Sequence, residues 1–188
     1  MSTTESTERV IPRMLTKYRE EVAAALSEQF GYGNPMQVPQ LTKIVVNMGL
    51  GKAVENKARI EHAQRELAAI TGQKPTVRLS RHAIAGFKIR ENYPVGCAVT
   101  LRGARMWEFL DRFVSVAIPR IRDFRGFPKK LDGRGNYSVG LAEQSIFPEI
   151  SLDKIEFTQG MHVTFVTTAG TDEEGFALLQ KLGFPFRK

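Results

Sequence analysis

Apolar side chains recur three and four residues apart in four stretches of the chain, and each stretch predicts a helix with one buried stripe. Leu15, Tyr18, Val22, Leu26 and Phe30 form the first, with Pro12 suited to its opening turn and Gly31 placed for a left-handed C-cap. The second runs from Asn56, as N-cap, through Ile60, Ala63, Leu67 and Ile70 to Gly72. The third carries Trp107, Leu110, Val114 and Ile118 on one face until Pro119 interrupts it. The last opens at Thr171, with Glu174 three residues on as a capping box, and closes at Gly183.

Between these stretches the period drops to two, which predicts strands. In residues 43–49, Ile44, Val46 and Met48 oppose Lys43, Val45, Asn47 and Gly49. In 95–102, Val95, Cys97, Val99 and Leu101 oppose Gly96, Ala98, Thr100 and Arg102. Val77 and Leu79 oppose Thr76, Arg78 and Ser80, while Tyr137, Val139 and Leu141 oppose Asn136, Ser138 and Gly140. A final strand over 161–168 is apolar in part on both faces, which suits a central position. Four strands thus share an apolar face and a second face that is small, polar or basic. This predicts an α+β fold in a single domain: an antiparallel sheet with helices packed on one face and the other left open. The open face has two readings, an ordinary solvated surface or one that a bulky partner approaches closely. Lys43, Arg78 and Arg102 on that same face favour the second.

Charge sharpens the picture. The chain of 188 residues carries a net +7, and residues 74–134 hold 14 basic against 5 acidic side chains. A basic middle between near-neutral flanks points to an anionic partner, and arginine suits phosphate because its planar fork binds two oxygens at once. Two connections concentrate this character, residues 81–92 (RHAIAGFKIREN) and 120–136 (RIRDFRGFPKKLDGRGN). Phe among Arg and Lys there reads either as a stacking surface beside phosphate neutralisers or as Phe124 and Phe127 tucked into the core. The third long connection, 142–155, holds Ile146, Phe147 and Pro148 and predicts a short packed irregular element.

Chemistry of other kinds finds no support. One cysteine excludes a disulfide framework and a Cys-based zinc site, and no apolar run reaches the length of a membrane span. Met1–Arg9 lacks the apolar stretch of a secretory signal, so a soluble cytoplasmic chain is expected. Asn47–Lys52 (NMGLGK) fails as a phosphate loop at Asn47 and Ala53, and as a dinucleotide fingerprint at Val54. His62, His82 and His162 stand far apart, and His62 reads as a surface histidine with no carboxylate opposite. Cys97 lies on an apolar face as a small hydrophobe, and no nucleophile–base pair can be named. No enzyme, metal or cofactor is expected.

The segments MQVPQLTKIVVNMGLG (36–51), AAITGQKPTVRLSRHAIAGFKIRENYPVGCAVTLRGARMWEFLDR (68–112), PRIRDFRGFPKKLDGRGNYSVGLAEQSIFPEI (119–150) and DEEGFALLQKLGFPFRK (172–188) resemble one family, the bacterial large-subunit ribosomal protein L five. The resemblance runs from about Ile11 to the C-terminus, leaving residues 1–10 as a flexible extension and 11–188 as a single ribosomal-protein domain. It implies an RNA-binding role without catalysis: attachment of 5S rRNA to the large subunit in the central protuberance, beside 23S rRNA and neighbouring proteins. The 5S contact would use the sheet face and adjoining turns, through Lys43, Asn47, Gln73, Thr76, Thr100 and Arg102. The loop around HAIAGFKIR would approach P-site tRNA, with Arg78, Arg81, Lys88 and Arg90 on phosphates, His82 beside them, and Phe87 stacking or anchoring the loop. Arg122, Arg125, Lys129 and Lys130 would lie near the small-subunit head protein S thirteen in an intersubunit bridge. The family places the protein in the cytoplasmic ribosome, with no membrane. A rival from another class is an adaptor whose basic middle meets an acidic protein; it would lack the steep salt dependence that many phosphate contacts impose.

Overall fold

The computed structural model describes residues 11–152 and 155–187; residues 1–10, expected to form a flexible extension, lie outside them. Five antiparallel strands form one sheet in the order β2-β3-β1-β5-β4, where β1 is Leu41–Gly49, β2 Thr76–Leu79, β3 Pro94–Leu101, β4 Tyr137–Leu141 and β5 Met161–Thr167. The helices are α1 (Arg13–Lys17) running through a π-helical turn (Tyr18–Val22) into α2 (Ala23–Phe30), then α3 (Ala58–Thr71), α4 (Gly103–Arg112) and α5 (Asp172–Lys181). The expected α+β architecture and its strand alternation hold. β5 is internal, between β1 and β4, but the middle of the sheet belongs to β1.

Ile44, Val46 and Met48 of β1 have no exposed surface, and Cys97, Leu101, Val163 and Phe165 join them in one core with Leu26, Leu67, Ile70, Leu110 and Leu178 from the helices. Fully burying a side chain of this size contributes roughly 1.5–3 kcal/mol, so the covered face supplies the main drive to fold. Phe113 sits at the centre of an aromatic cluster, with ring centroids 6.0 Å from Phe109, 6.4 Å from Phe127 and from Phe147, and 5.6 Å from Phe165. The simple helical period put Val114 on the core face. The helix instead widens into a π-helical turn over Phe113–Ala117, which rotates the stripe so that Phe113 and Ala117 are buried and Val114 only half-buried.

The helix ends follow local chemistry. Gly31 and Gly72 take left-handed C-cap conformations; the N-cap of α3 is Lys57 and not Asn56, whose side chain still accepts from Ala58 N at 3.0 Å from one residue further out. Thr171 and Glu174 form the expected capping box. Glu174 also binds across the fold: its Oε1 accepts from the Tyr32 hydroxyl at 2.6 Å, and its Oε2 accepts from Gly170 N at 2.8 Å.

Those bonds hold the Glu174 carboxyl below its ordinary range, chiefly through the Tyr32 hydroxyl, while burial and the Glu174 contact push Tyr32 up to about 12. A carboxylate whose folded pKa is depressed contributes stability above its unfolded pKa and loses it as pH falls through the folded value. Glu174→Gln is therefore expected to lower the urea midpoint at pH 7, with the gap to the parent protein closing as acid titrates the carboxylate; a gap independent of pH would contradict this.

Candidate nucleic-acid interface

The uncovered face of the sheet is built in cross-strand rows. Register places Thr76, Ala98, Asn47, His162 and Gly140 side by side, one from every strand. A second row runs Thr100, Val45, Thr164, Ser138, in which the Ser138 and Thr164 hydroxyls hydrogen-bond at 3.0 Å. A third begins Arg78, Gly96, Gly49. A Cβ on Gly96 would lie 2.8 Å from the Met48 carbonyl oxygen, so no side chain fits there. At the strand spacing of antiparallel sheets this face is about 19 Å wide. It presents hydroxyls, an amide and an imidazole over a floor of small residues, with cations at its ends.

Period two explains why these residues share a face: each follows or precedes a residue that the helices bury. Lys43 is half-buried at the start of β1, and continuing the β1–β3 register by one residue brings Arg102, in extended backbone before α4, opposite it. Gln73 is half-buried in the turn between α3 and β2. Lys43, Asn47, Thr76, Thr100 and Arg102 are therefore brought to one surface, while Gln73 lies in the turn beside α3, with Gln64, Arg65 and Ala68 around the same shallow depression. Arg78 belongs to this surface too, in β2, and not to the loop beyond it.

That loop is a hairpin-like arm. Asn92 N donates to Ser80 O and Ser80 N to Tyr93 O at its base, and Ile84 N donates to Ile89 O near its tip. Ala85–Phe87 form a 3-10 turn, and Lys88 takes a left-handed conformation to reverse the chain. Arg81, His82, Lys88 and Arg90 are all exposed. Phe87 is 71 % exposed, so it anchors nothing within the chain and offers its ring outward.

The second basic loop behaves differently. Phe127 is 7 % exposed and belongs to the core layer, while Phe124, half-buried, packs edge-on to it at 4.8 Å and also lines the groove beside β4. Arg122, Arg125, Lys129 and Lys130 remain exposed. Arg122 and Arg125 line a groove near β4 that also takes in Arg120 and Arg187, whereas Lys129 and Lys130 lie outside its lining.

The histidines correct one expectation. His62 has a carboxylate opposite: its Nε2 lies 3.1 Å from Glu156 Oε2, its ring packs edge-on to Phe157, and it is mostly buried. The Arg59 guanidinium covers the other aromatic contact, 4.3 Å from the Phe157 ring centre, so this cluster pins residues 156–157 to α3. The partner lies 94 positions away in sequence, beyond the reach of local spacing. Burial raises the Cys97 thiol pKa, in keeping with a packing role. Among the described residues no His, Cys, Asp and Glu group is arranged to hold a metal. His162, Thr164 and Arg187 were not singled out as site residues from the sequence. Alternation along β5 would have found the first two; Arg187 has no sequence signal, because only the chain's return beside residue 126 brings it to the groove.

Two family models match the chain: that of ribosomal protein L5 over residues 34–90, and that of the C-terminus of the same ribosomal protein family over residues 94–186. The chain is 57% identical over 184 residues to the large ribosomal subunit protein uL5 of Saccharopolyspora erythraea, covering 97% of this chain and 98% of that protein. It is 58% identical over 187 residues to the protein of the same name from Salinispora tropica, covering 99% of each.

Arg81 and Lys88 are exposed and form no ion pair among the described residues, so Arg81→Glu combined with Lys88→Glu is expected to leave the thermal midpoint within about 2 °C of the parent, as surface substitutions do. A large drop in a melting experiment would show that the arm is held by contacts to the body.

Proposed function

The chain belongs to the ribosomal protein L5 family, and on that premise we propose that its open sheet face binds 5S rRNA. Membership makes the chain a structural constituent of the large ribosomal subunit that binds rRNA in the cytoplasmic ribosome, and not an enzyme. Among the described residues no helix is long and apolar enough to cross a membrane. The observation that supports the 5S reading is the row Thr76–Ala98–Asn47–His162–Gly140, which crosses all five strands on the face the helices leave bare.

Double-stranded RNA offers a wide, shallow minor groove lined with 2′-hydroxyls and base edges, and its major groove is too narrow for side chains to read. A broad face of hydroxyls and amides over small residues matches that groove in shape and in hydrogen-bonding type. Asn47, Thr76 and Thr100, with Gln73 at the margin, bond to the groove. Lys43, Arg78 and Arg102 neutralise the phosphates that flank it. Phosphate contacts set orientation and the shape of the RNA sets selectivity. Through this contact the protein helps fasten 5S rRNA to 23S rRNA in the central protuberance.

The arm carries a second role in this reading. Arg81, Lys88 and Arg90 reach the backbone of P-site tRNA, with His82 beside them and Phe87 free to stack. Lys129 and Lys130, with Arg122 and Arg125 nearby, face the small-subunit protein S thirteen across the subunit interface.

Asn47→Ala and Thr100→Ala should each weaken 5S rRNA binding by about 3- to 30-fold, the worth of a lost hydrogen bond with its partner left unpaired. Neither side chain is in the core, so circular dichroism and the melting midpoint should not change. Filter binding against an unrelated structured RNA of equal length reads the effect, and unchanged affinity in both variants would remove the sheet face from the account.

A further inference from the structure

The fixed charges of the open face lie on one half of it. Lys43 belongs to β1, Arg78 to β2, and Arg102 follows β3, whereas β5 and β4 present His162, Thr164, Val166, Ser138 and Gly140. His162 is the one ionisable group on that second half. An RNA groove has a phosphate strand on each side, and here only an imidazole is placed to answer the farther one.

The ring stands open to a partner. His162 lies in the row with Asn47 of β1 on one side and Gly140 of β4 on the other. A Cβ on Gly140 would lie 3.7 Å from His162 Cε1 and Nδ1, so the exposed ring rests beside a residue with no side chain to cover it. Among the described residues, the side-chain bonds made by imidazole nitrogens belong to His62, with Arg65 and Glu156, which leaves both nitrogens of His162 unengaged. Few charges surround it. On β1 the cation of the same face is Lys43, four residues along, and on β5 the neighbours are the uncharged Gly160 and Thr164. β4 presents no charge, and Glu143 beyond its end accepts from the Ser145 hydroxyl at 3.0 Å. No carboxylate among the described residues pairs with His162 in the free chain.

We propose that His162 is a charge-switched contact for 5S rRNA, holding a phosphate oxygen as imidazolium and so making affinity depend on pH. The inference rests on the sheet-face reading and adds to it one residue and one proton. Histidine is the side chain whose charge changes between pH 5 and 8, and a phosphate favours the protonated form. Linkage is reciprocal: where bound phosphate favours the proton, the proton favours RNA by the same factor. Complex formation then takes up a proton from solvent, and affinity rises as pH falls. Asn47 beside it bonds without regard to pH, so the row holds one constant contact and one variable one.

Filter binding of the full chain to a 5S rRNA transcript between pH 5.5 and pH 8 tests this. Acidification should raise the parent's affinity about fivefold and steepen its slope of log K against log salt by about 1, one added phosphate contact. His162→Gln keeps a hydrogen-bonding side chain that cannot charge, and its pH profile should be flat. His162→Lys carries a permanent charge and should bind at pH 8 as the parent does at pH 5.5. Calorimetry in two buffers of different ionisation enthalpy should detect proton uptake by the parent and none by His162→Gln, a difference that a merely structural role would not produce. A parental pH profile in His162→Gln would overturn the proposal and assign the titration to another group. A parent whose affinity is independent of pH would overturn it too. The two readings fail separately. If Asn47→Ala and Thr100→Ala weaken binding while His162→Gln titrates like the parent, the sheet face stands and the switch falls; if they leave binding intact, both fall.

Discussion

β1 runs through the middle of the sheet and sends Ile44, Val46 and Met48 into the helical layer with no surface left exposed. Because successive strand residues point to opposite sides, that burial forces Lys43, Val45, Asn47 and Gly49 onto the other face. A slip of one residue would put Asn47 and Lys43 into the core and Ile44 into water, so the register of β1 against β3 and β5 is set by the free energy of burial. The hydrogen-bonded row that crosses the sheet is the counterpart of the core beneath it. The surface proposed to meet RNA is therefore fixed by the same contacts that make the protein fold.

The two basic loops show how the same composition serves different ends. Both mix phenylalanine with arginine and lysine, yet Phe87 projects into solvent while Phe127 lies in the core beside Phe113 and Phe184. The difference comes from what passes nearby. The arm leaves the sheet from β2 at its edge and β3 beside it with residues 81–88 exposed, whereas the second loop is overlaid by the C-terminal segment through the Phe127–Phe186 pairing. Packing takes the Phe127 ring, half-buries that of Phe124 and leaves the guanidinium groups of Arg122 and Arg125 on the surface, so the second loop presents mainly charge.

Alternation and capping were legible in the sequence because both are local. Gly31, Gly72 and the Thr171–Glu174 box mark helix ends through their own backbone chemistry, and period two sorts Asn47 and Thr100 from Val46 and Leu101 without knowledge of the partner strand. What local pattern could not supply was anything set by distant neighbours or by irregular backbone. The π-helical turn at Phe113 exchanges the roles of two adjacent residues, and a fixed helical period has no means of showing it. His62 gains its carboxylate from Glu156, and Arg187 reaches the groove only through the fold. His162 is set by a local pattern: it alternates with the buried Met161 and Val163 along β5, although Val166 on its own face blurs the period.

The central claim is that RNA recognition sits on the sheet face opposite the helices. Side-chain NMR of the isotopically labelled protein titrated with 5S rRNA tests it most directly, through the Asn47 amide and the methyl groups of Thr76, Thr100 and Thr164. These signals should shift or broaden together at the first additions of RNA, while the methyls of Leu67, Ile70 and Leu178 in the helical layer stay in place. Perturbation centred on the helices, with the Asn47 and Thr100 signals unmoved, would contradict the account.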